Sequence, residues 1–244
     1  MPLLREVTVS ELKYKRVLLK LSGEALMGEN GILDFSFLER ICAVIKKASD
    51  MGAQVSCVIG GGNIWRGRQG GSMDKTRADH MGMTATLINS IALQDTLIQS
   101  GVDAVVLSAV RVEPFAEFYD KQRAVDCLSA GKVVIFACGT GNPYFSTDTG
   151  AVLRGAQIGA DVLLFAKNID GVYTADPRKD TSAVRLDRVS YSRILAERLG
   201  VIDMTAAAFA MENDLKILLF ALDDPENIIR ALKGDDIGTL LENS

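Results

Sequence analysis

The pattern that most constrains this chain is a series of short, continuously apolar runs, several of which lead into a glycine-containing loop. Arg16 to Leu21, Gln54 to Ile59, Ala104 to Leu107, Lys132 to Ala137, Val162 to Ala166 and Lys216 to Phe220 all have strand length. An alternating pattern would leave one sheet face in water, whereas continuous runs need cover on both faces, as in a parallel sheet. Helical spacing fills the intervals: Ser36 to Met51, ended by Gly52; Asp79 to Ser100, stopped by Gly101; Asp120 to Ser129; Thr149 to Ile158; Tyr191 to Leu199; Ala206 to Asn213. Pro225 opens a last helix, and Thr239 to Leu241 reads as a short edge strand. Strand and helix alternate throughout, which predicts an α/β fold, a three-layer α/β/α sandwich around a mainly parallel central sheet.

Bulk properties narrow the partners. A chain of 244 residues can bury a substantial core as one domain. Its net charge of −4 argues against nucleic acid, which demands clustered cations. It leaves room for a small phosphorylated ligand held by local donors. No apolar run approaches the ~20 residues of a membrane span. Met1 to Lys15 is mixed and charged, without a signal-peptide core. Cys42, Cys57, Cys127 and Cys138 show no CxxC spacing and read as buried free thiols of a reducing, cytoplasmic environment.

In open α/β sheets, ligands bind outside the carboxyl ends of the strands. Polar glycine loops fall at three such ends: Lys20-Leu21-Ser22-Gly23, Gly60-Gly61-Gly62-Asn63, and Gly139-Thr140-Gly141-Asn142-Pro143-Tyr144-Phe145-Ser146-Thr147-Asp148. Together they would form a phosphate-binding rim. The third combines backbone donors and the hydroxyls of Thr140, Ser146 and Thr147 with the flat rings of Tyr144 and Phe145. Phosphate donors beside stacking surface suggest a nucleoside monophosphate. Neither GxxxxGK[ST] nor GxGxxG occurs, so the scaffold is a different one. Lys20 at a strand end needs an anion to offset its burial, either a phosphate or a structural carboxylate. Arg66 could reach a phosphate with its planar fork. Asp148 fits a helix N-cap, Asp203 is equally open, and Asp79 suits either a ribose hydroxyl or a cap. His80, the only histidine, has no Ser, Cys or metal partner in the pattern. Asp170-Gly171-Val172-Tyr173-Thr174-Ala175-Asp176-Pro177 is a turn-rich loop whose Tyr173 could face a base or cover the core.

These segments, in this order, resemble the bacterial uridylate (UMP) kinases of the amino acid kinase superfold. The motifs are Lys20 to Leu26, Val58 to Asn63, Asp79-His80-Met81-Gly82-Met83, Gly139 to Pro143 with Thr147-Asp148, and Asp170 to Pro177. The likeness runs over nearly the whole length from Tyr14, with 1–13 as an extension before a single domain, 14–244. It implies transfer of a phosphoryl group from ATP to UMP with Mg²⁺, in pyrimidine nucleotide biosynthesis. By the same resemblance Lys20, Leu21, Ser22, Gly23, Gly62, Arg66, Asn168, Tyr173 and Asp176 would bind ATP. Gly61, Asp79, Thr140, Gly141, Asn142, Pro143, Tyr144, Phe145, Ser146 and Thr147 would bind UMP. Lys20, Asp148 and Asp203 would be catalytic, and no residue is assigned as a metal ligand. Gly28, Glu29, Asn30, Gly31, Ile32 and Leu33 align with a GTP activation region, with UTP as inhibitor. Lys167 stands where many relatives carry threonine, on the adenine side. The family also implies a homohexamer, for which Thr84 to Leu97 could supply an interface. Rival readings are a carboxylate or carbamate kinase of the same fold, and an inactive nucleotide sensor.

Overall fold

The structure, a computed structural model, describes residues 12–28, 31–66, 70–175, 177 and 180–243. Eleven strands are present among them: β1 (Arg16–Leu21), β2 (Gln54–Ile59), β3 (Ala104–Ser108), β4 (Glu117–Phe118), β5 (Val133–Ala137), β6 (Val162–Lys167), β7 (Val172–Tyr173), β8 (Arg185–Leu186), β9 (Arg188–Ser190), β10 (Ile217–Ala221) and β11 (Thr239–Glu242). Seven α-helices accompany them: α1 (Phe35–Asp50), α2 (Lys75–Gln99), α3 (Lys121–Ser129), α4 (Thr147–Ile158), α5 (Tyr191–Glu197), α6 (Met204–Glu212) and α7 (Asn227–Lys233). Nine strands form one sheet in the order β4-β3-β5-β2-β1-β6-β10-β11-β9, while β7 and β8 form a separate antiparallel pair. Every pairing in the large sheet is parallel except β10 with β11. The expected sandwich is therefore present.

Strand parity divides the core into two layers. Val17, Leu19 and Leu21 of β1 pack on one face with Ile41, Ile45 and Leu93 from α1 and α2. Leu18 packs on the other with Ala151 and Val152 of α4 and Ala206 and Ala210 of α6. Both faces are dry, which is why the central strands read as unbroken apolar runs.

Three expectations are corrected. Helix α2 begins at Lys75, with Asp74 accepting from the Arg77 N–H, so Asp79 is not its cap. Helix α4 is capped by Ser146, whose Oγ accepts from the Thr149 N–H, so Asp148 sits inside the first turn with its carboxylate released from capping. Strand β11 is not an edge: β9 lies outside it. Residues 1–11, Glu29, Asn30 and Asp176 lie outside the described residues.

Candidate active site

The same parity that builds the core places the charges. Lys20 follows Leu18 on the α4 face of β1, and Lys167 follows Leu163 and Phe165 on the α4 face of the neighbouring β6. Their ammonium groups flank the Phe165 ring, at 5.9 and 5.6 Å from its centroid. Only 8% of Lys20 is exposed, so a counter-charge is required. Asp148, one position into α4, supplies it: Oδ1 lies 2.9 Å from Lys20 Nζ and Oδ2 lies 3.0 Å from Lys167 Nζ. Lys167 also donates to the Val201 carbonyl. Burial pushes the Asp148 carboxyl upward, but the two lysines outweigh it and hold it below the ordinary aspartate value. Burial and the neighbouring Lys20 outweigh Asp148 at Lys167, whose pKa falls below the usual lysine value. Two cations share this one carboxylate at the carboxyl edge of the sheet, and Asp203 is close enough to act on Lys167 as well.

Asp203 binds the helix ends together. It caps α6, accepting from the Ala206 N–H at 2.9 Å, and also accepts from the hydroxyls of Ser146 and Thr149. The N-termini of α4 and α6 therefore meet at the site, and both dipoles favour an anion there. Asp203 is therefore a helix cap whose carboxylate also holds Ser146.

The glycine loops form the rim by close approach. A Cβ at Gly23 would lie 2.2 Å from the Gly60 oxygen and 2.8 Å from the Gly62 nitrogen. One at Gly61 would lie 2.8 Å from both Ala85 Cβ and the Gly82 oxygen of α2. In the third loop Cys138, Gly139, Gly141 and Tyr144 all adopt left-handed backbone, with φ of 62°, 58°, 82° and 71°. Non-glycine residues in that region carry strain held in place by their surroundings. Here Thr86 Oγ1 accepts from the Cys138 N–H at 2.9 Å, and Asp79 Oδ2 accepts from the Tyr144 N–H at 2.8 Å. Both anchors come from α2.

Two cavities open onto this edge. A hollow of about 270 Å³ is lined by Gly61, Gly62, Asp79, Thr140, Asn142, Phe145, Ser146 and Thr147, among others. A cleft of about 970 Å³ is lined by Lys20, Ser22, Lys167 and Asn168 together with apolar Phe37, Ile169 and Leu222. Several assigned residues lie elsewhere. Gly62, expected on the ATP side, lines the smaller hollow. The Tyr144 ring points outward, with Lys75 Nζ at 4.5 Å, and Gly141 and Pro143 are set back from the lining. Leu21 is buried in the core. Arg66 pairs with Glu24 and donates to the Gly62 oxygen at 3.2 Å. The Tyr173 hydroxyl donates to Asp170.

Four residues contribute that the sequence did not assign to the site. Lys167 belongs to the charged cluster rather than to a base contact, and its two-residue spacing from Phe165 on a strand was the available signal. Trp65 lines the hollow, its Nε1–H donating to the Ala78 oxygen at 2.9 Å. Asn63 and Asn89 form a buried amide pair; Asn89 Nδ2 donates to the Gly60 oxygen at 2.8 Å and to Asn63 Oδ1 at 2.8 Å. No local pattern marks that pair.

Known proteins share this sequence pattern and this fold. The model of the amino acid kinase family matches residues 15–221. A uridylate kinase of Porphyromonas gingivalis is 51% identical, covering 95% of this chain and 98% of its own. The crystal structure of a UMP kinase from Bacillus anthracis superposes with a TM-score of 0.92 at 36% identity, over 95% of this chain and 97% of that one. A UMP kinase from Ureaplasma parvum gives 0.89 at 34% identity, over 95% and 100%.

Proposed function

The chain belongs to the amino acid kinase family, where it groups with the uridylate kinases, and from that premise we propose that it reversibly transfers the γ-phosphoryl group of ATP to UMP, giving ADP and UDP. The observation that carries the reading is the Lys20–Asp148–Lys167 cluster. Lys20 and Lys167 line the large cleft, while Thr147, adjacent to Asp148, lines the small hollow. The cleft suits ATP and the hollow suits UMP, so the two lysine ammonium groups fall where the phosphoryl group passes.

The attacking atom is a phosphate oxygen of UMP, anionic at neutral pH, and so no general base is needed. Catalysis consists of aligning two anions and neutralising charge that develops between them. Lys20 serves the transferring group, Asp148 orients both lysines, and Asp203 orients Ser146 and the α4 N-terminus. Asp79 and the Gly139 to Thr147 loop hold the acceptor. Exposed His80 takes no part in this scheme.

Mg²⁺ fits as a passenger of ATP, lowering the charge of its phosphates. Among the described residues no group of three or more His, Cys, Asp or Glu forms a metal cage. Mg²⁺ commonly binds through substrate phosphates and one or two carboxylates; Asp148 and Asp203 are those available here.

The reading extends to regulation and assembly. GTP activation is assigned to the segment 28–33, supported by Asn63 Nδ2 donating to the Ile32 oxygen at 2.7 Å, a link from that segment to the triple-glycine loop; UTP is the expected inhibitor. A cytoplasmic homohexamer working in pyrimidine biosynthesis, with 14–244 as one domain, is supported by the family and by apolar Ile88, Ile91 and Ile98 exposed on α2. Among the described residues no helix is long and apolar enough to cross a membrane.

An assay of ADP release with ATP and Mg²⁺ tests the proposal, with UMP, CMP, carbamate and aspartate as parallel acceptors. Strong turnover is expected with UMP alone. Nucleotide binding without turnover on any acceptor would replace the kinase with a sensor.

A further inference from the structure

The buried amide pair Asn63–Asn89 has no part in the mechanism above, yet it is placed where that mechanism acts. Asn89 is fully buried and Asn63 nearly so. Each amide donates to the other, Asn89 Nδ2 to Asn63 Oδ1 at 2.8 Å and Asn63 Nδ2 to Asn89 Oδ1 at 3.1 Å. Each also donates outward: Asn63 to the Ile32 oxygen at 2.7 Å, and Asn89 to the Gly60 oxygen at 2.8 Å. Neither amide can be flipped without losing bonds, so the face that Asn89 shows to Gly60 is a fixed donor.

Burying two amides costs free energy unless their bonds are made. An apolar pair of the same shape would be close to neutral for stability. What an apolar pair could not do is fix the direction of a peptide. In a trans peptide the C=O and the following N–H point in opposite directions. Holding the Gly60 oxygen on Asn89 therefore turns the Gly61 N–H away from Asn89, and among the described residues nothing accepts from it. A bond accepted at the carbonyl also polarises the peptide and strengthens its N–H as a donor. Gly61 lines the hollow. A Cβ at Gly60 would lie 3.2 Å from the Gly23 nitrogen and 3.8 Å from Thr147 Oγ1. Gly60 follows β2, the strand paired with β1, and Thr147 adjoins Asp148. This peptide thus stands beside the Lys20–Asp148 pair, at the seam between hollow and cleft.

We propose that Asn89, locked by Asn63, is a positioning residue for phosphoryl transfer: it holds the Gly60 carbonyl so that the free Gly61 N–H is presented to the phosphate of the acceptor. The inference rests on the reading of the small hollow as the UMP side. Lys20 supplies charge to the transferring group, and the Gly61 amide fixes the direction from which the acceptor oxygen approaches it.

Three full-length variants test this: Asn89→Leu, Asn63→Leu and the double variant. Trp65, the single tryptophan, lines the hollow and reports binding by fluorescence independently of turnover. Uridine, which has the base and ribose of UMP without its phosphate, is the second ligand. Asn89→Leu should raise Kd and KM for UMP about tenfold, the scale of a lost charge-assisted contact, while Kd for uridine stays within about twofold. Asn63→Leu should raise the UMP constants less, about threefold, because Asn89 keeps its bond to Gly60. Each single variant leaves one amide unpaired and should melt below the parent. The double variant should melt above either single one and still show the tenfold loss for UMP. The proposal is overturned if UMP and uridine weaken together, or if the double variant recovers UMP affinity along with its stability. It is equally overturned if affinity follows melting temperature through the series, or if all three variants lose their fold; either would make the pair purely structural. Failure of the parent enzyme to turn over UMP would count against the kinase reading instead; the comparison of UMP with uridine would still judge Asn89.

Discussion

The two cavities at the sheet edge differ in size and in what surrounds them. The cleft is large and made by side chains: lysines at the ends of β1 and β6, with apolar residues from several elements around them. The hollow is less than a third of its size and sets Gly61, Gly62, Gly82 and Gly139 among Trp65, Met83 and Phe145, beside a left-handed loop pinned at Thr86 and Asp79. The difference suits the two proposed substrates. A common phosphoryl donor needs charge and room, whereas an acceptor that must be told from its analogues needs a hollow whose walls do not give.

The largest expected effect is at the charge cluster. Lys20→Ala should lower kcat by roughly 10²–10³, the scale for removing one preorganised electrostatic contact, while Kd for UMP changes little. Steady-state kinetics with fluorescence titration checks this, and an equal loss in both constants would dissolve the division between cleft and hollow. Next comes Gly61→Ala. Its Cβ must displace α2 at Ala85 and Gly82, so KM for UMP should rise by about ten- to a hundredfold with KM for ATP nearly unchanged, the equivalent of the ~1–3 kcal/mol of overpacking. Asp79→Asn weakens the charge-assisted bond to the Tyr144 N–H. A rise in KM for UMP of about tenfold is expected, within the ~1.5–3 kcal/mol of such bonds.

The reading of this division from sequence was uneven for a physical reason. Strands β1, β2 and β6 were legible because burial on both faces imposes an unbroken apolar run. The two-residue strands β4, β7 and β8, and the three-residue β9, carry no such signature. The glycine rim was visible as composition, but its stacking was not, since Gly23 and Gly60 meet only once the strands pair. Asp148 looked like a cap because its position near a helix start is shared by caps and ligands alike. Lys167 was placed on the adenine side rather than beside Asp148 because a cation's partner can lie far along the chain, and only strand parity reveals it.

A smaller effect should appear in the pH dependence, and there activity and stability move in opposite directions. Lys167 has a folded pKa below its ordinary value, so its charge costs stability at neutral pH and that cost fades as pH rises through the folded pKa. Turnover needs the cation, so kcat should fall over the same alkaline interval while this group's contribution to stability improves. Lys167→Arg should move that limb to higher pH in a kcat profile; an unmoved limb would place the titration elsewhere. Asp148 has the reverse sign: its stabilisation is present at neutral pH and is lost only as pH falls through a folded value below the ordinary carboxylate range. The smallest effect is expected at Tyr144→Ala, whose exposed ring faces away from the hollow. Its kinetic constants should change by about twofold or less, in keeping with the ~0.5 kcal/mol of surface substitutions.

The contacts of Gly23 with Gly60 and Gly62, and of Gly61 with α2, bear on how such an enzyme can diverge. A methyl group added at Gly23 or Gly61 meets neighbouring atoms at less than 3.0 Å, so these two positions have almost no neutral single-step neighbours. Lineages drifting toward another acceptor would have to leave this backbone intact and vary Ala78, Met83 and Phe145, which line the hollow. The rim would then be inherited as a block, and substrate preference would be written in the few residues around it.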